Sequence, residues 1–202
     1  MIQQSFFDYH HLEGSAAGLD EAGRGPLAGP VIAAAVILNP DQIIPGLDDS
    51  KKLSAKKRAF LAKKIRCYAL DWSIGRAEVF EIDELNILRA SLLAMSRAFN
   101  GLTERPHRAL VDGNQIPEIP CTVTTIVRGD AKVACIAAAS ILAKVSRDNE
   151  MCDLDKKYPG YGFAQNKGYP TRKHLMSLNT MGPTEMHRQS FAPVKRFIKQ
   201  SG

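Results

Sequence analysis

Residues 31–38, Val-Ile-Ala-Ala-Ala-Val-Ile-Leu, are an uninterrupted run of β-branched and small apolar side chains. A run of this kind suits a strand buried on both faces, which belongs in a sheet with helices packed on it. The residues before it narrow the choice further. Ala16 to Ala22 reads as a second strand and Gly23 to Pro30 as a glycine-rich turn, so the two strands are expected to pair antiparallel. The first strand carries Asp20-Glu21 near its end, and acids set in apolar sequence are costly unless something cationic meets them. Gly23, Gly25 and Gly29 let backbone N–H groups approach a ligand that side chains would keep away, with Arg24 among them. Glycines beside prolines also make plain turns, and the loop lacks both the Gly-x-Gly-x-x-Gly spacing and the Gly-Lys-Ser/Thr ending of nucleotide-binding loops.

Along the rest of the chain, Asn39-Pro40 and Pro45-Gly46 break the sequence into a loop ending at Asp49-Ser50-Lys51-Lys52-Leu53. Ser54 is placed to cap a helix over residues 55–67, with Phe60, Leu61 and Ile65 on its apolar face. Lys56, Lys57, Lys63 and Lys64 read as its solvated face, whereas Lys51 and Lys52 on the preceding loop are the better phosphate contacts. A third strand is expected over residues 69–79 and an amphipathic helix over 83–99. Short strands over 108–111 and 122–127 then deliver Asp112 and Asp130. Residues 131–147 form an alanine-rich helix in which Ile136, Ala139, Ser140, Ala143 and Lys144 are set to pack on the sheet. Beyond residue 150 come aromatic loops interleaved with basic residues, a short helix over 171–178 and a tail bearing Lys195, Arg196 and Lys199. The expected organisation is an N-terminal arm at 1–14, a core at 15–150 and a substrate-contacting C-terminal region at 151–202.

Composition sets outer bounds. A chain of 202 residues with 45% hydrophobic content can bury one proper core. Its formal charge of +6 leans toward a polyanionic partner. Cys67, Cys121, Cys135 and Cys152 form no C-x-x-C pair and have no zinc-spaced histidines, so reduced thiols in a cytoplasmic protein are expected. Residues 1–12 lack the basic start and apolar run of a secretory signal, and no apolar run is long enough to span a bilayer.

Asp20, Asp112 and Asp130 share an address, since each falls where an apolar strand stops at a glycine or small residue. If those strands are neighbours, their ends gather the carboxylates where ligands of such sheets bind. Like charges held that close repel, so the cluster implies divalent cations, and an all-oxygen donor set selects Mg²⁺ or Mn²⁺. Glu21 joins them only if the strand ends or bulges there, because adjacent strand residues face opposite ways. Asp130 reads equally well as the cap of a helix beginning at Ala131.

The ordered strings Gly18-Leu19-Asp20-Glu21-Ala22-Gly23-Arg24-Gly25-Pro26, Asp49-Ser50-Lys51-Lys52-Leu53, Val111-Asp112-Gly113, Gly129-Asp130-Ala131, residues 137–145, Arg147-Asp148 and Lys167-Gly168-Tyr169 resemble ribonuclease HII over nearly the whole chain. The resemblance implies an α/β fold: an RNase H-like mixed sheet flanked by helices, with a small, mostly helical C-terminal region. It implies an endoribonuclease that hydrolyses the RNA strand of RNA-DNA hybrids and incises at ribonucleotides embedded in duplex DNA, leaving 5′-phosphate and 3′-hydroxyl ends. Carried over by position, Asp20, Glu21, Asp112 and Asp130 are the catalytic, metal-binding set, holding two divalent ions (Mg²⁺ or Mn²⁺) roughly 4 Å apart. Gly23, Arg24 and Gly25 grip the backbone around the ribonucleotide and sense its 2′-OH, Ser50, Lys51 and Lys52 contact substrate, and Tyr169 stacks at the RNA-DNA junction. Asp148 falls in a family motif with a supporting role. Asn166 stands where the family has histidine as often as asparagine and Pro170 where glycine is usual, and the proline fixes a backbone angle beside Tyr169. A monomer is expected, with a sliding clamp as a possible partner of the tail. Residues 1–14 leave no room for the added domain of the related ribonuclease HIII type. Two rivals stand beside this reading: a non-catalytic nucleic-acid module, which would tolerate loss of the acids, and an RNase H-fold nuclease acting on all-DNA substrates.

Overall fold

A computed structural model describes residues 16–198. Its centre is a five-stranded sheet in the order β3-β2-β1-β4-β5, where β1 is Ala16–Ala22, β2 Val31–Ile37, β3 Asp71–Ala77, β4 Arg108–Asp112 and β5 Thr122–Ile126. The β1–β2 and β2–β3 pairs are antiparallel, while β1–β4 and β4–β5 are parallel. Every residue of β2 is buried, as its unbroken apolar sequence demands.

Strand alternation sorts the core into two layers. Ala17, Leu19, Val31, Ala33, Ala35, Ala109 and Val111 pack against the helix α3 (Ile87–Asn100), which contributes Ala94, Met95, Ala98 and Phe99. On the other face Ala34 and Val36 meet α1 (Ala55–Tyr68) and the long α4 (Ala134–Lys157). Two glycines let the helices come this close. A Cβ on Gly18 would lie 2.2 Å from the Cys135 carbonyl carbon in α4, and one on Gly75 would lie 2.1 Å from the Ala94 carbonyl oxygen in α3.

The first helix begins as its sequence indicates, with the Ser54 hydroxyl accepting from the Lys57 N–H. Other boundaries differ from expectation, each for a local reason. The single helix expected over 83–99 is two, α2 (Val79–Leu85) and α3, divided at Asn86. Asn86 takes a positive φ of 71° and its side chain accepts from the Leu88 and Arg89 N–H groups, so it closes one helix and caps the next. The third strand is shorter than residues 69–79, because Glu78 and Glu81 form a capping box that starts α2 at Val79. The fourth helix starts at Ala134, after a 3₁₀ turn at Gly129–Ala131, and runs to Lys157, well past residue 147. It therefore crosses residue 150 unbroken. Phe60 does not join Leu61 and Ile65 inside: it is exposed, with the ammonium groups of Lys57 and Lys64 at 5.6 and 5.0 Å from its ring centre. Lys144 likewise stays partly exposed and pairs with Asp148.

The C-terminal region is small and helical, comprising α5 (Phe163–Asn166), α6 (Arg172–Met181) and α7 (Ala192–Ile198). It is stitched to the loop after β1: Leu27 donates to the Gly168 carbonyl, Arg188 N–H to Leu27, and Gly29 N–H to Met186. Leu27, Ala28, Met151, Tyr161, Phe163 and Leu178 form a shared apolar cluster beneath these bonds. Cys67, Cys121, Cys135 and Cys152 form no disulfide, and among the described residues no helix is long and apolar enough to cross a membrane. The expected arm at 1–14 and Lys199 lie outside the described residues.

Candidate active site

The acids converge because of strand register. β1 and β4 run parallel with Leu19 beside Val111, so the next step along both strands sets Asp20 beside Asp112, about 4.8 Å away across the ladder. Both lie on the α4 face, following the parity of Gly18 and Leu110. Asp130 arrives from the 3₁₀ turn beyond β5 instead of the strand end itself. That turn folds back over Asp112, whose Oδ1 accepts from the Gly129 N–H at 2.6 Å. Asp130 is therefore not the cap of α4, whose N-cap is Val133.

Electrostatics confirm the crowding. Burial first, then the charges of Glu21 and Asp112, hold the Asp20 carboxyl well above the usual carboxylate range, against hydrogen bonds from Ser140 and the Glu21 N–H. Burial also raises Glu21, opposed by Arg24 and assisted by Asp112. Asp130 is raised by burial, by Asp112 and by Asp49. The ladder continues regularly through Glu21 opposite Ala33 and Ala22 opposite Ile32, so no bulge turns Glu21 around. It reaches the field of Asp112 from the opposite face at the strand's end.

Asp112 is thus shared by two groups of acids, one with Asp20 and Glu21 and one with Asp130 and Asp49. An all-oxygen set whose members repel one another fits a hard divalent cation. Among the described residues no group of three or more His, Cys, Asp or Glu side chains is already arranged around a single metal position. Lys51 is the cation at hand: partial burial lowers its pKa, but Asp130, Asp20, Asp49 and Asp112 outweigh that and raise it.

Next to the acids lies the glycine loop. Gly23 has φ +104°, and a Cβ there would sit 2.1 Å from the Arg147 Nε. Arg24 is exposed and lies 3.5 Å from Glu21. Gly25 leaves room for an aromatic ring, since a Cβ on it would be 3.3 Å from Cε1 of Tyr169. Tyr169 itself is 45% exposed. The acids, the glycine loop and a half-exposed tyrosine from the C-terminal region make one continuous site.

The model of the family "Ribonuclease HII" matches residues 17–194. The chain belongs to the ribonuclease HII family. Ribonuclease H2 from Pyrococcus horikoshii OT3 is 27% identical over 92% of this chain and 97% of its own, with a TM-score of 0.77. The RNase HII of Archaeoglobus fulgidus, solved in a complex with PCNA, is 27% identical over 86% of this chain and 91% of its own, at a TM-score of 0.67. The fold is shared with Bst-RNase HIII in complex with Mn²⁺, at 20% identity over 95% of this chain and 72% of that one, with a TM-score of 0.71. The ribonuclease HII family consists of metal-dependent ribonuclease H endonucleases, and this chain is an enzyme of that class.

Two arginines of this ribonuclease HII site were given no role by the sequence, although Arg147 falls in one of the family strings. Arg188, fully buried, donates to the carbonyls of Gly23, Arg24 and Gly29, and Arg147, almost as deep, to those of Ala28, Pro30 and Lys167. Burial lowers both guanidinium pKa values, to about 9 and about 10 respectively. Among the described residues neither makes an ion pair within 4.0 Å, so the carbonyls of the glycine loop are their solvation shell. Ser50 is buried, not presented to solvent: its hydroxyl donates to that of Ser140, which in turn bonds Asp20. Lys51 and Lys52 remain exposed on the same turn, Lys52 paired with Asp48 at 3.2 Å. Asp148 pairs with Lys144 at 2.6 Å and Arg58 at 3.6 Å, and Arg58 donates to the Ser50 and Leu53 carbonyls, so Asp148 braces the lysine turn from behind.

Proposed function

We propose that this chain hydrolyses the RNA strand of RNA-DNA hybrids and incises at ribonucleotides embedded in duplex DNA, leaving 5′-phosphate and 3′-hydroxyl ends by two-metal-ion catalysis. The observation that carries the reading is the β1–β4 register, which sets Asp20 beside Asp112 next to the Gly25–Tyr169 contact. Asp20, Glu21, Asp112 and Asp130 would hold the cations, for which Mg²⁺ and Mn²⁺ both suit the oxygen donors. When bound, such cations supply Lewis-acid activation of water and offset the charge on the departing 3′-oxygen.

The chain's own residues do the rest. Ser140, itself bonded by Ser50, holds Asp20 in place at the strand end. Lys51 and Lys52 meet backbone phosphates, with Ser50 shaping their turn. Gly23, Arg24 and Gly25 surround the ribonucleotide and read its 2′-OH, which is recognised and not used as nucleophile, so the phosphate stays on the 5′ side. Tyr169 stacks beside the scissile position. The PCNA complex of the Archaeoglobus relative supports a sliding-clamp contact; we assign that contact to this chain's C-terminal tail and take the enzyme to act as a monomer.

The test is cleavage of labelled duplexes on a denaturing gel. Asp20→Asn and Asp112→Asn should each lower turnover by about 100-fold or more, an interaction of roughly 2.7 kcal/mol in the transition state, with hybrid binding within a few fold. Turnover retained in both variants overturns the reading. Replacing the target ribose by deoxyribose should abolish cutting, and continued cleavage of the all-DNA duplex would favour the DNA-nuclease alternative.

A further inference from the structure

Tyr169 is held from beneath by two histidines that play no part in the chemistry above. His174 and His187 are fully buried, with their Nε2 atoms 3.1 Å apart. The Nδ1 of His174 lies 2.9 Å from the Tyr169 carbonyl, and the Thr184 N–H donates to Nδ1 of His187 at 2.9 Å. The rings of Tyr161 and Phe163 enclose the pair, Tyr161 at 5.0 Å from His187 and Phe163 at 5.4 Å from His174. Burial lowers both imidazole pKa values, that of His187 to about 4, so both rings are neutral near pH 7.

Neutral rings carry one proton each, and the neighbours fix where it sits. A backbone N–H can only donate, so Nδ1 of His187 is an acceptor and its proton is on Nε2. That proton points at Nε2 of His174, which must accept it. His174 therefore carries its own proton on Nδ1 and donates it to the Tyr169 carbonyl. One directional chain runs from Thr184 through both imidazoles to the tyrosine's backbone.

The segment it grips is tightly specified. Lys167 and Gly168 take positive φ values of 54° and 81°, the Tyr169 N–H donates to Asn166, and Thr171 N–H donates to the Tyr169 carbonyl. Asn166 spans the turn, bonding the Tyr161 carbonyl and the Gly168 N–H. Backbone placement at residue 169 then decides where the half-exposed ring meets Gly25.

We propose that His174, backed by His187, is a positioning residue that sets Tyr169 against Gly25 and thereby tunes selectivity for a ribonucleotide embedded in DNA. This rests on the functional reading of Tyr169 given above. The amide nitrogen of asparagine falls near Nδ1 of histidine, whereas that of glutamine falls near Nε2. His174→Asn keeps the donor to Tyr169, and His174→Gln removes it.

The experiment compares cleavage of duplex DNA carrying one ribonucleotide with cleavage of an uninterrupted hybrid, in wild type, His174→Asn, His174→Gln, Tyr169→Ala and the His174→Gln/Tyr169→Ala double variant. His174→Gln should lower single-ribonucleotide cleavage about tenfold, the scale of one lost hydrogen bond, and hybrid cleavage less than about threefold. His174→Asn should stay within about threefold of wild type on both substrates, and His174→Gln should add nothing in the Tyr169→Ala background. Equal losses on both substrates, or effects that simply multiply in the double variant, overturn the positioning role while leaving the Tyr169 assignment intact. A Tyr169→Ala enzyme with unchanged single-ribonucleotide cleavage sinks that assignment and the inference with it. Imidazole ¹⁵N shifts of the wild-type enzyme test the chain independently of any variant: His187 protonated on Nε2 and His174 on Nδ1 is expected, and the reverse pair of tautomers overturns it.

Discussion

A carboxylate cluster costs stability until something cationic enters it, and this one states its cost in Asp20. Because its pKa is raised on folding, the associated stability is fully present below the ordinary carboxylate range and is lost as pH rises through the raised value. Removing one neighbouring charge should recover part of the loss. Asp112→Asn keeps an oxygen to accept from the Gly129 N–H, so in the absence of divalent ions the variant should be more stable than wild type, by about 1 kcal/mol. Added Mg²⁺ or Mn²⁺ should raise the wild-type Tm and leave that of Asp112→Asn nearly unmoved. Calorimetry showing the variant destabilised without metal would contradict the repulsion. His187 works in the opposite sense, since its pKa is lowered on folding to about 4. Stability tied to the neutral ring is present above about pH 6.5 and is lost as pH falls toward 4, because the unfolded chain takes up the proton first. Wild type should therefore exceed His187→Gln in Tm at pH 7.5 by a margin that shrinks by pH 5; a constant margin would show that the ring is not held neutral. Asp20 and Asp112 were legible in the sequence because a charge at the end of an apolar strand is costly unless a cation meets it, whereas Asp130 read equally well as a helix cap. The roles of Arg147, Arg188, His174 and His187 were not legible, because their partners, mostly backbone groups, are brought near only by the fold.

At the scale of elements, the site exists because β1 can lie against α4. Gly18 is the contact point, and its neighbours there are the backbone atoms of Cys135 and Ile136, which cannot rotate away. Gly18→Ala should push α4 off the sheet and cost about 3 kcal/mol, lowering Tm by roughly 10 °C in thermal denaturation. A shift of under about 2 °C would mean that the helix accommodates the methyl group freely. Since Ser140 on α4 bonds Asp20, the variant should also lose activity at temperatures where it is still folded. The strands and the sheet-facing helices were readable from periodicity, because burial on one or both faces writes itself into the sequence directly. Helix ends were less so. The break at Asn86 depends on one side chain capping forward while its backbone adopts φ 71°, and a heptad-like run of leucines masks it. The delayed start of α4 has the same origin, a 3₁₀ turn stabilised by a tertiary bond from Gly129 to Asp112 that no local pattern announces.

Over the whole molecule, the C-terminal region packs on the loop after β1, and in the proposed function the two share one substrate face. The Gly23–Pro30 loop belongs to the core by sequence, yet its carbonyls are held by Arg188 and Arg147 and its backbone pairs with Gly168 and Met186. A polyanion crossing that face meets basic residues from several elements, and the net charge of +6 gives it a long-range pull. Not every lysine should count equally. Lys51 stands over the acids at the site, and Lys52 must leave Asp48 to reach a phosphate. Lys56 and Lys63 lie on the exposed face of α1, which the sequence reads as simply solvated. Hybrid affinity should fall linearly with log salt, because each lysine that meets a phosphate releases counterions. Lys51→Ala/Lys52→Ala should make that slope shallower by about 1 to 2, near 0.9 for each phosphate left without its lysine, whereas Lys56→Ala/Lys63→Ala should leave it unchanged. Fluorescence anisotropy between 50 and 200 mM salt, at fixed divalent concentration, reads both slopes. A flat dependence in wild type would remove the basic face from binding, and equal slopes for the two double variants would move the phosphate path off the lysine turn and onto the molecule's diffuse charge.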